Sequence, residues 1–242
     1  MMRHYNLPCE LMISLDCVTD KEAFDVLAKI GHSVEWVRVT NQLFFPYGVA
    51  LLQQLSNYGY KIFLDIRLSD TPLAMAASIL SLHHQPIDQI SIQLIQGLPS
   101  LQFAQTALKQ SLPDAQLVAV TLLYHLHRYE TLSKIFNHLS KNLMNYYYRL
   151  AISAKIYHVM CTAYEFPFLL KHFGAHFTYT IYGSDLNETQ ERYPFFKMAK
   201  RGARTLILGE SCLKQKDPEA YILKIREEIA NAFVTSSEVY AT

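Results

Sequence analysis

No stretch of this chain gathers lysine and arginine into a cluster, and 22 basic residues against 21 acidic ones leave a formal charge of +1. That balance gives no electrostatic case for nucleic acid or an anionic membrane as a partner. Long apolar runs are also missing: none reaches the ~18 residues of a membrane span. The first residues lack a charged segment leading into an apolar one with a small-residue cleavage site, which argues against export by the usual route. Cysteine is sparse. Cys9, Cys17, Cys161 and Cys212 are scattered without short paired spacing, which argues against a zinc site or a disulfide framework and fits buried thiols in a reducing cytoplasm. No low-complexity linker divides the chain, so its 242 residues, 50% of them hydrophobic, are expected to form one domain spanning 1–242.

What the sequence does contain is alternation. Short apolar runs and segments of helical period succeed one another, the pattern of a parallel (β/α)₈ barrel. The spacing predicts strands at 11–15, 36–39, 61–64, 89–93, 116–121, 155–159, 177–181 and 205–208. Asp20 is expected to cap the first helix, with Ala23, Phe24, Leu27 and Ile30 on one face and Gly31 closing it. Pro46 is expected to open the second helix, which runs to Asn57, and the last helix is placed at 218–233. A helix at 130–150 carries Tyr146, Tyr147 and Tyr148, three neighbours that cannot share one face, so at least one is exposed or at an interface. His83 and His84 are expected to close a helix on its terminal carbonyls.

The third strand is the most informative. Leu64-Asp65-Ile66-Arg67-Leu68-Ser69-Asp70-Thr71-Pro72 places Asp, Arg and Asp at the C-terminal end of an apolar strand, where a (β/α)₈ barrel keeps its chemistry. The segment resembles the Asp-x-Lys-x-x-Asp signature of the orotidine 5′-phosphate decarboxylase family, with arginine at the lysine position. Leu15-Asp16 followed by Thr19-Asp20-Lys21-Glu22-Ala23 resembles that family's first βα unit, which makes Asp16 the ribose-binding position. Val37-Arg38-Val39 followed by Leu43-Phe44 resembles its second strand, with Arg38 at the network's other lysine. Val118-Ala119-Val120-Thr121 is similar to the fifth strand and puts Thr121 among the substrate-binding positions, while Val159-Met160-Cys161-Thr162-Ala163-Tyr164-Glu165 resembles the sixth and Leu206-Ile207-Leu208-Gly209 the eighth.

The resemblance implies a barrel of the ribulose-phosphate-binding type, without a cofactor or metal, cytoplasmic and homodimeric. It further implies a site at the dimer interface, a nucleoside monophosphate ligand, and Asp70 acting on the partner copy's site. Decarboxylation of orotidine 5′-monophosphate to uridine 5′-monophosphate in pyrimidine biosynthesis is the activity it implies.

The departures bear on that activity. Arginine has a reference pKa of about 12.5 or more against about 10.4 for lysine, so Arg67 stabilises negative charge but is a poor acid, at a cost of roughly 3–5 kcal/mol in proton-transfer driving force. Arg38, Asp65, Arg67 and Asp70 still alternate in charge, which suits bidentate Arg–carboxylate pairs holding the site together. Gly209-Glu210 stands where the family has Gly-Arg, so a carboxylate replaces the phosphate-gripping guanidinium. Gln190 and Arg192 resemble the family's phosphate-contacting Asp-Gln-x-Arg loop, with Thr189 for the aspartate. Tyr124-His125 falls where the family's Thr-Ser meets the pyrimidine, and His125 and His127 read as half-exposed histidines. Gln93-Leu94-Ile95 replaces a His-Ala-Ser run; Leu73 and Ala74 replace Asn-Thr.

Three readings follow: an impaired or inactive homologue kept for binding, an active decarboxylase with a retuned site, or a related sugar-phosphate lyase. The last would need a magnesium-binding carboxylate cluster, which the sequence does not display.

Overall fold

The computed structural model describes residues 9–120, 140–182 and 194–238. The chain forms β1 (Glu10–Leu15), α1 (Asp20–Ile30), β2 (Trp36–Thr40), α2 (Asn41–Asn57), β3 (Lys61–Leu68), α3 (Pro72–Leu80), β4 (Gln89–Gln93), α4 (Gly97–Ser111) and β5 (Gln116–Val120). There follow α5 (Ser140–Ser153), β6 (His158–Thr162), α6 (Phe166–Phe173), β7 (Thr178–Tyr182), α7 (Phe195–Lys200), β8 (Ala203–Leu208), α8 (Glu210–Leu213) and α9 (Pro218–Glu238). The strands pair in parallel in chain order, and β8 pairs with β1, Met12 opposite Ile207, to close the barrel. This is the (β/α)₈ architecture expected from the alternation.

The period of two along each strand sorts side chains into two cores. In β1, Leu11, Ile13 and Leu15 point outward and join the large apolar layer between sheet and helices. Met12 points inward and packs with Trp36, Phe63, Val118, Val120, Met160 and Ile207 inside the barrel. Burial on both faces explains why the strands read as nearly unbroken apolar runs. Near the barrel floor, Glu10 pairs with Lys61 at 3.4 Å and with Arg204 at 3.7 Å, and the Lys61 ammonium stands 5.2 Å from the centre of the Trp36 ring.

Local rules place the boundaries, and several differ from the sequence expectation. The N-cap of α1 is Thr19, not Asp20: its hydroxyl accepts from the Glu22 amide, and Glu22 reaches back to the Thr19 amide, a capping box. Gly31 closes the helix at φ +51, and a Cβ there would meet Glu219 Oε1 at 3.0 Å. Helix α2 begins at Asn41 rather than Pro46, and Gly48 at φ +54 kinks it. Among the strand starts the largest shift is at β6, which begins at His158 rather than residue 155. Lys155 and Ile156 belong to the turn that ends α5: their amides donate to the carbonyls of Ile152 and Ala151, with Lys155 at φ +58 in the position where glycine is favoured. Ser140–Ser153 bears out the later part of the expected 130–150 helix, whose start lies outside the described residues. In it Tyr148 is buried and Tyr146 exposed. His83 does meet a helix-terminal carbonyl, with Nδ1 3.3 Å from Leu80 O.

Arg226 of α9 ties the last helix back to the entrance of β2, donating to Ser33 O at 2.6 Å and pairing with Glu35 at 2.6 Å. The four cysteines are free and buried. Among the described residues no helix is long and apolar enough to cross a membrane.

Candidate active site

At the C-terminal end of the barrel the inward positions change from apolar to polar. Ser14, Arg38, Asp65, Ser91, Gln93 and Thr180 are all buried there, above the Met12–Phe63–Ile207 layer. Registration of the strands explains the grouping: Ser14 lies beside Arg38, and Thr40 beside Asp65. Strand β3 has eight residues where the other strands have five or six, and its register with β4 slips between Leu64 and Leu68, so Asp65 and Arg67 both reach the mouth.

The centre is a chain of alternating charge. The Arg38 guanidinium donates from Nε and Nη2 to Asp65 Oδ2 at 2.8 and 2.6 Å. Its Nη1 donates to Ser14 Oγ at 2.6 Å and to Asp16 Oδ1 at 3.4 Å. Arg67 Nε stands 3.5 Å from Asp65 Oδ1. The Tyr182 ring lies 5.0 Å from the Arg38 guanidinium, within reach of a cation–π contact. The side chains of Arg38 and Asp65 are 5% and 0% exposed, so this pair is desolvated, whereas Asp16 at 43% exposure is half in water and contributes at most about 1 kcal/mol. Burial pushes the Asp65 carboxyl up, but the Arg38 and Arg67 guanidiniums outweigh it and hold the group below the ordinary carboxylate range. Asp65 is therefore ionised at neutral pH, an acceptor and not an acid.

Arg67 adopts φ +50, a left-handed conformation costly for a residue with a Cβ. Its amide donates to Ser91 Oγ at 2.6 Å, which anchors the turn to β4. The bend aims the guanidinium back at Asp65 rather than along the strand.

Asp70 is placed apart from this chain. It is exposed; its Oδ1 accepts from the Thr71 amide at 2.7 Å and its carbonyl accepts from Ser100 Oγ at 3.1 Å. Gly209 precedes α8 in extended conformation, and Glu210 points to solvent, paired with Lys214 at 2.9 Å with both side chains 70% exposed. After β6, Glu165 is buried and its Oε2 accepts from the Thr162 amide at 2.9 Å and the Thr162 hydroxyl at 3.0 Å, which fixes the turn into α6. Thr121, His125, Gln190 and Arg192 lie outside the described residues. Among the described residues no group of three or more His, Cys, Asp or Glu side chains could hold a metal ion.

Sequence reasoning missed Ser14, Ser91 and Tyr182. The signal was present in β4, where Ile90-Ser91-Ile92-Gln93 alternates apolar and polar in a strand expected to be apolar on both faces. Together these groups can bind, orient and stabilise negative charge. Neither the guanidiniums nor the ionised Asp65 can hand over a proton near neutrality.

Residues 10–225 match the family model described as orotidine 5′-phosphate decarboxylase / HUMPS family. The chain is 30% identical over 233 residues to the orotidine 5′-phosphate decarboxylase of Oenococcus oeni, an alignment covering 90% of this chain and 97% of that one. The enzyme of that name from Opitutus terrae is 24% identical over 92% of this chain and 99% of its own. Among solved structures, orotidine 5′-phosphate decarboxylase from Lactobacillus acidophilus superposes with a TM-score of 0.75 at 24% identity, covering 91% of this chain and 99% of that one. An uncharacterized conserved protein from Geobacillus kaustophilus gives the same TM-score at 20% identity, covering 90% and 99%.

Proposed function

We propose, since this chain belongs to the orotidine 5′-phosphate decarboxylase / HUMPS family, that it is a barrel which keeps a ligand site at its mouth and has lost most of the decarboxylation chemistry. The observation that carries this reading is the Arg38–Asp65–Arg67 chain, in which both cations are guanidiniums and the carboxylate between them is held ionised. A carbanion formed at the mouth would be stabilised by Arg67 and left without a nearby acid among the described residues. Replacing an ammonium by a guanidinium as the proton donor lowers the rate by about 10²–10⁴-fold on driving force alone. Glu210, turned to Lys214, supplies no grip for a phosphate, which weakens the ligand further.

The ligand is a nucleoside monophosphate, and the working unit is a cytoplasmic homodimer of one-domain chains with its sites at the interface. Asp70 supports this assembly: among the described residues its exposed carboxylate makes only a local bond, to the Thr71 amide, which suits a contact with a second copy.

The test is calorimetric titration with uridine 5′-monophosphate and its 6-hydroxy analogue, with orotidine 5′-monophosphate consumption followed on the same sample. Binding without turnover is expected. Turnover at the rate of the named relatives would sink the impaired reading in favour of an active decarboxylase, with the donor sought around His125. Light scattering at micromolar concentration is expected to give a dimer; a monomer would remove the role proposed for Asp70.

A further inference from the structure

Beneath the apolar plug, at the end of the barrel opposite the mouth, the inward positions are polar again. Strand pairing sets Trp36 beside Lys61, Phe63 beside Gln89, Val118 beside His158 and Glu10 beside Thr205. Inward side chains of a (β/α)₈ barrel stack in layers of four drawn from alternate strands. Trp36, Gln89, His158 and Thr205, one from each even-numbered strand, therefore share a layer. Glu10, Lys61, Gln116 and Thr178 of the odd-numbered strands form the next layer down.

Every member of the even-strand layer carries a hydrogen-bonding group, and Thr205, Gln89 and Trp36 are only 2%, 5% and 7% exposed. Two of these groups are unmet among the described residues: Trp36 Nε1 finds no acceptor, and Gln89 Oε1 finds no donor. A buried polar atom left so is costly, and such atoms are almost always satisfied. The two atoms are complementary, yet they stand on β2 and β4 with β3 between them and do not bond to each other. One molecule that accepts from the indole and donates to the amide satisfies both. Met12, Phe63 and Val118 separate this layer from the mouth. From below it is covered by Lys61, 5.2 Å from the Trp36 ring, and by Glu10, which pairs with Lys61 and Arg204 at 3.4 and 3.7 Å. Both cationic side chains are 51% exposed, so the cover is made of weak surface pairs that open at little cost.

We propose that Trp36 and Gln89, framed by His158 and Thr205, form a second binding site, for a small uncharged molecule that carries both a hydrogen-bond acceptor and a donor. The inference goes beyond the function proposed for the mouth and does not depend on it. Water is the smallest such molecule and a primary amide is a larger one; both can make the same two bonds. An ion is unsuited. An anion would face the Gln89 oxygen with Glu10 beneath it, and a cation would face the Trp36 N–H with Lys61 beneath it. Burial and the nearby positive charge of Arg204 lower the His158 pKa, which keeps the layer itself uncharged.

The experiment uses the intact, isotope-labelled protein, whose one tryptophan gives one indole N–H signal in magnetic resonance. Contacts of that proton with water, and its response to acetamide and to acetate, a charged counterpart of similar size, are followed in the parent, in Gln89→Leu and in Gln116→Leu. A long-lived water contact identifies water as the occupant, and a saturable shift with acetamide but not acetate identifies a small amide; either result supports the site. Gln89→Leu is expected to remove the water contact, or to weaken acetamide about tenfold for the loss of one buried hydrogen bond. Gln116→Leu, at the exposed rim, is expected to change neither. A parent indole with neither signal, signals that survive Gln89→Leu, or an equal response to acetate would overturn the site. Should Gln89→Leu fail to fold, a high-resolution crystal structure of the parent decides the point: a non-protein peak within hydrogen-bond distance of both Trp36 Nε1 and Gln89 Oε1 supports the site, and its absence overturns it.

Discussion

The lower and upper halves of the barrel interior are built on the same eight strands and obey the same alternation, yet they are filled with opposite chemistry. Below, Met12, Trp36, Phe63, Val118, Met160 and Ile207 form a dry plug. Above, Arg38 and Asp65 are as deeply buried as those side chains but carry charge. Apolar burial contributes stability in proportion to area with few demands on geometry. A buried ion pair has to recover the desolvation of both ions and often only breaks even against apolar residues of like volume. The plug is what stability alone produces; the upper half holds the buried charges of the ligand site proposed at the mouth.

Three changes test this division, in order of expected effect. Truncating the plug with Phe63→Ala should cost about 3–5 kcal/mol in urea denaturation, and a much smaller loss would mean the floor is not the stabilising half. Asp65→Asn should cost about 3–5 kcal/mol or slightly less, because Arg38 is left buried without its counter-charge. The double change Arg38→Met with Asp65→Leu should restore stability to near the parent value while abolishing ligand binding. The pH dependence of Asp65→Asn sharpens the point. Because the folded carboxyl titrates below its unfolded value, its contribution is complete above the ordinary carboxylate pKa and is lost as pH falls through the folded one. The stability gap between the parent and Asp65→Asn should therefore close in acid, and a gap that widened would contradict the ion-pair account.

The smallest effect compares two left-handed residues, Lys155 at the floor and Arg67 at the mouth, with φ +58 and +50. Lys155→Gly should raise stability by about 0.5–1 kcal/mol, since glycine suits the turn that ends α5. Arg67→Gly should bring no such gain, because relief of strain is offset by loss of the contact with Asp65. Equal gains at both sites, measured by thermal melting, would mean that Arg67 holds nothing in place.

The sequence made the barrel legible because alternation and length decide it: seven of the eight strands lie where their apolar runs do, and β4 matches at both ends. The miss at β6 has a local cause. Lys155 and Ile156 look like the start of a strand by hydropathy, but their amides are committed to the end of α5, and nothing in a lysine announces a left-handed turn. Likewise Thr19 and Asp20 are both good caps, and only the reciprocal bond from Glu22 chooses between them. At the site, Arg38, Asp65 and Arg67 were visible as a motif and do converge. Asp70 belongs to the same motif yet stands outside the chain of charges: it lies beyond the end of β3, exposed, with its carboxylate accepting from the Thr71 amide. Ser14 and Ser91 were invisible as site residues: which face of a strand looks inward depends on closure of the whole barrel.

Trp36, the one tryptophan in the sequence, sits buried at the floor with the Lys61 ammonium 5.2 Å from its ring. The protein therefore carries a single tryptophan fluorophore among its sixteen tyrosines, located in the half of the barrel away from the ligand site proposed at the mouth. Its emission reports on closure of the β1–β2–β3 floor, blue-shifted when the indole is dry and red-shifted once water enters. An event confined to the mouth should leave that spectrum nearly unchanged, so local occupancy above and global opening below can be followed in one cuvette as separate optical signals.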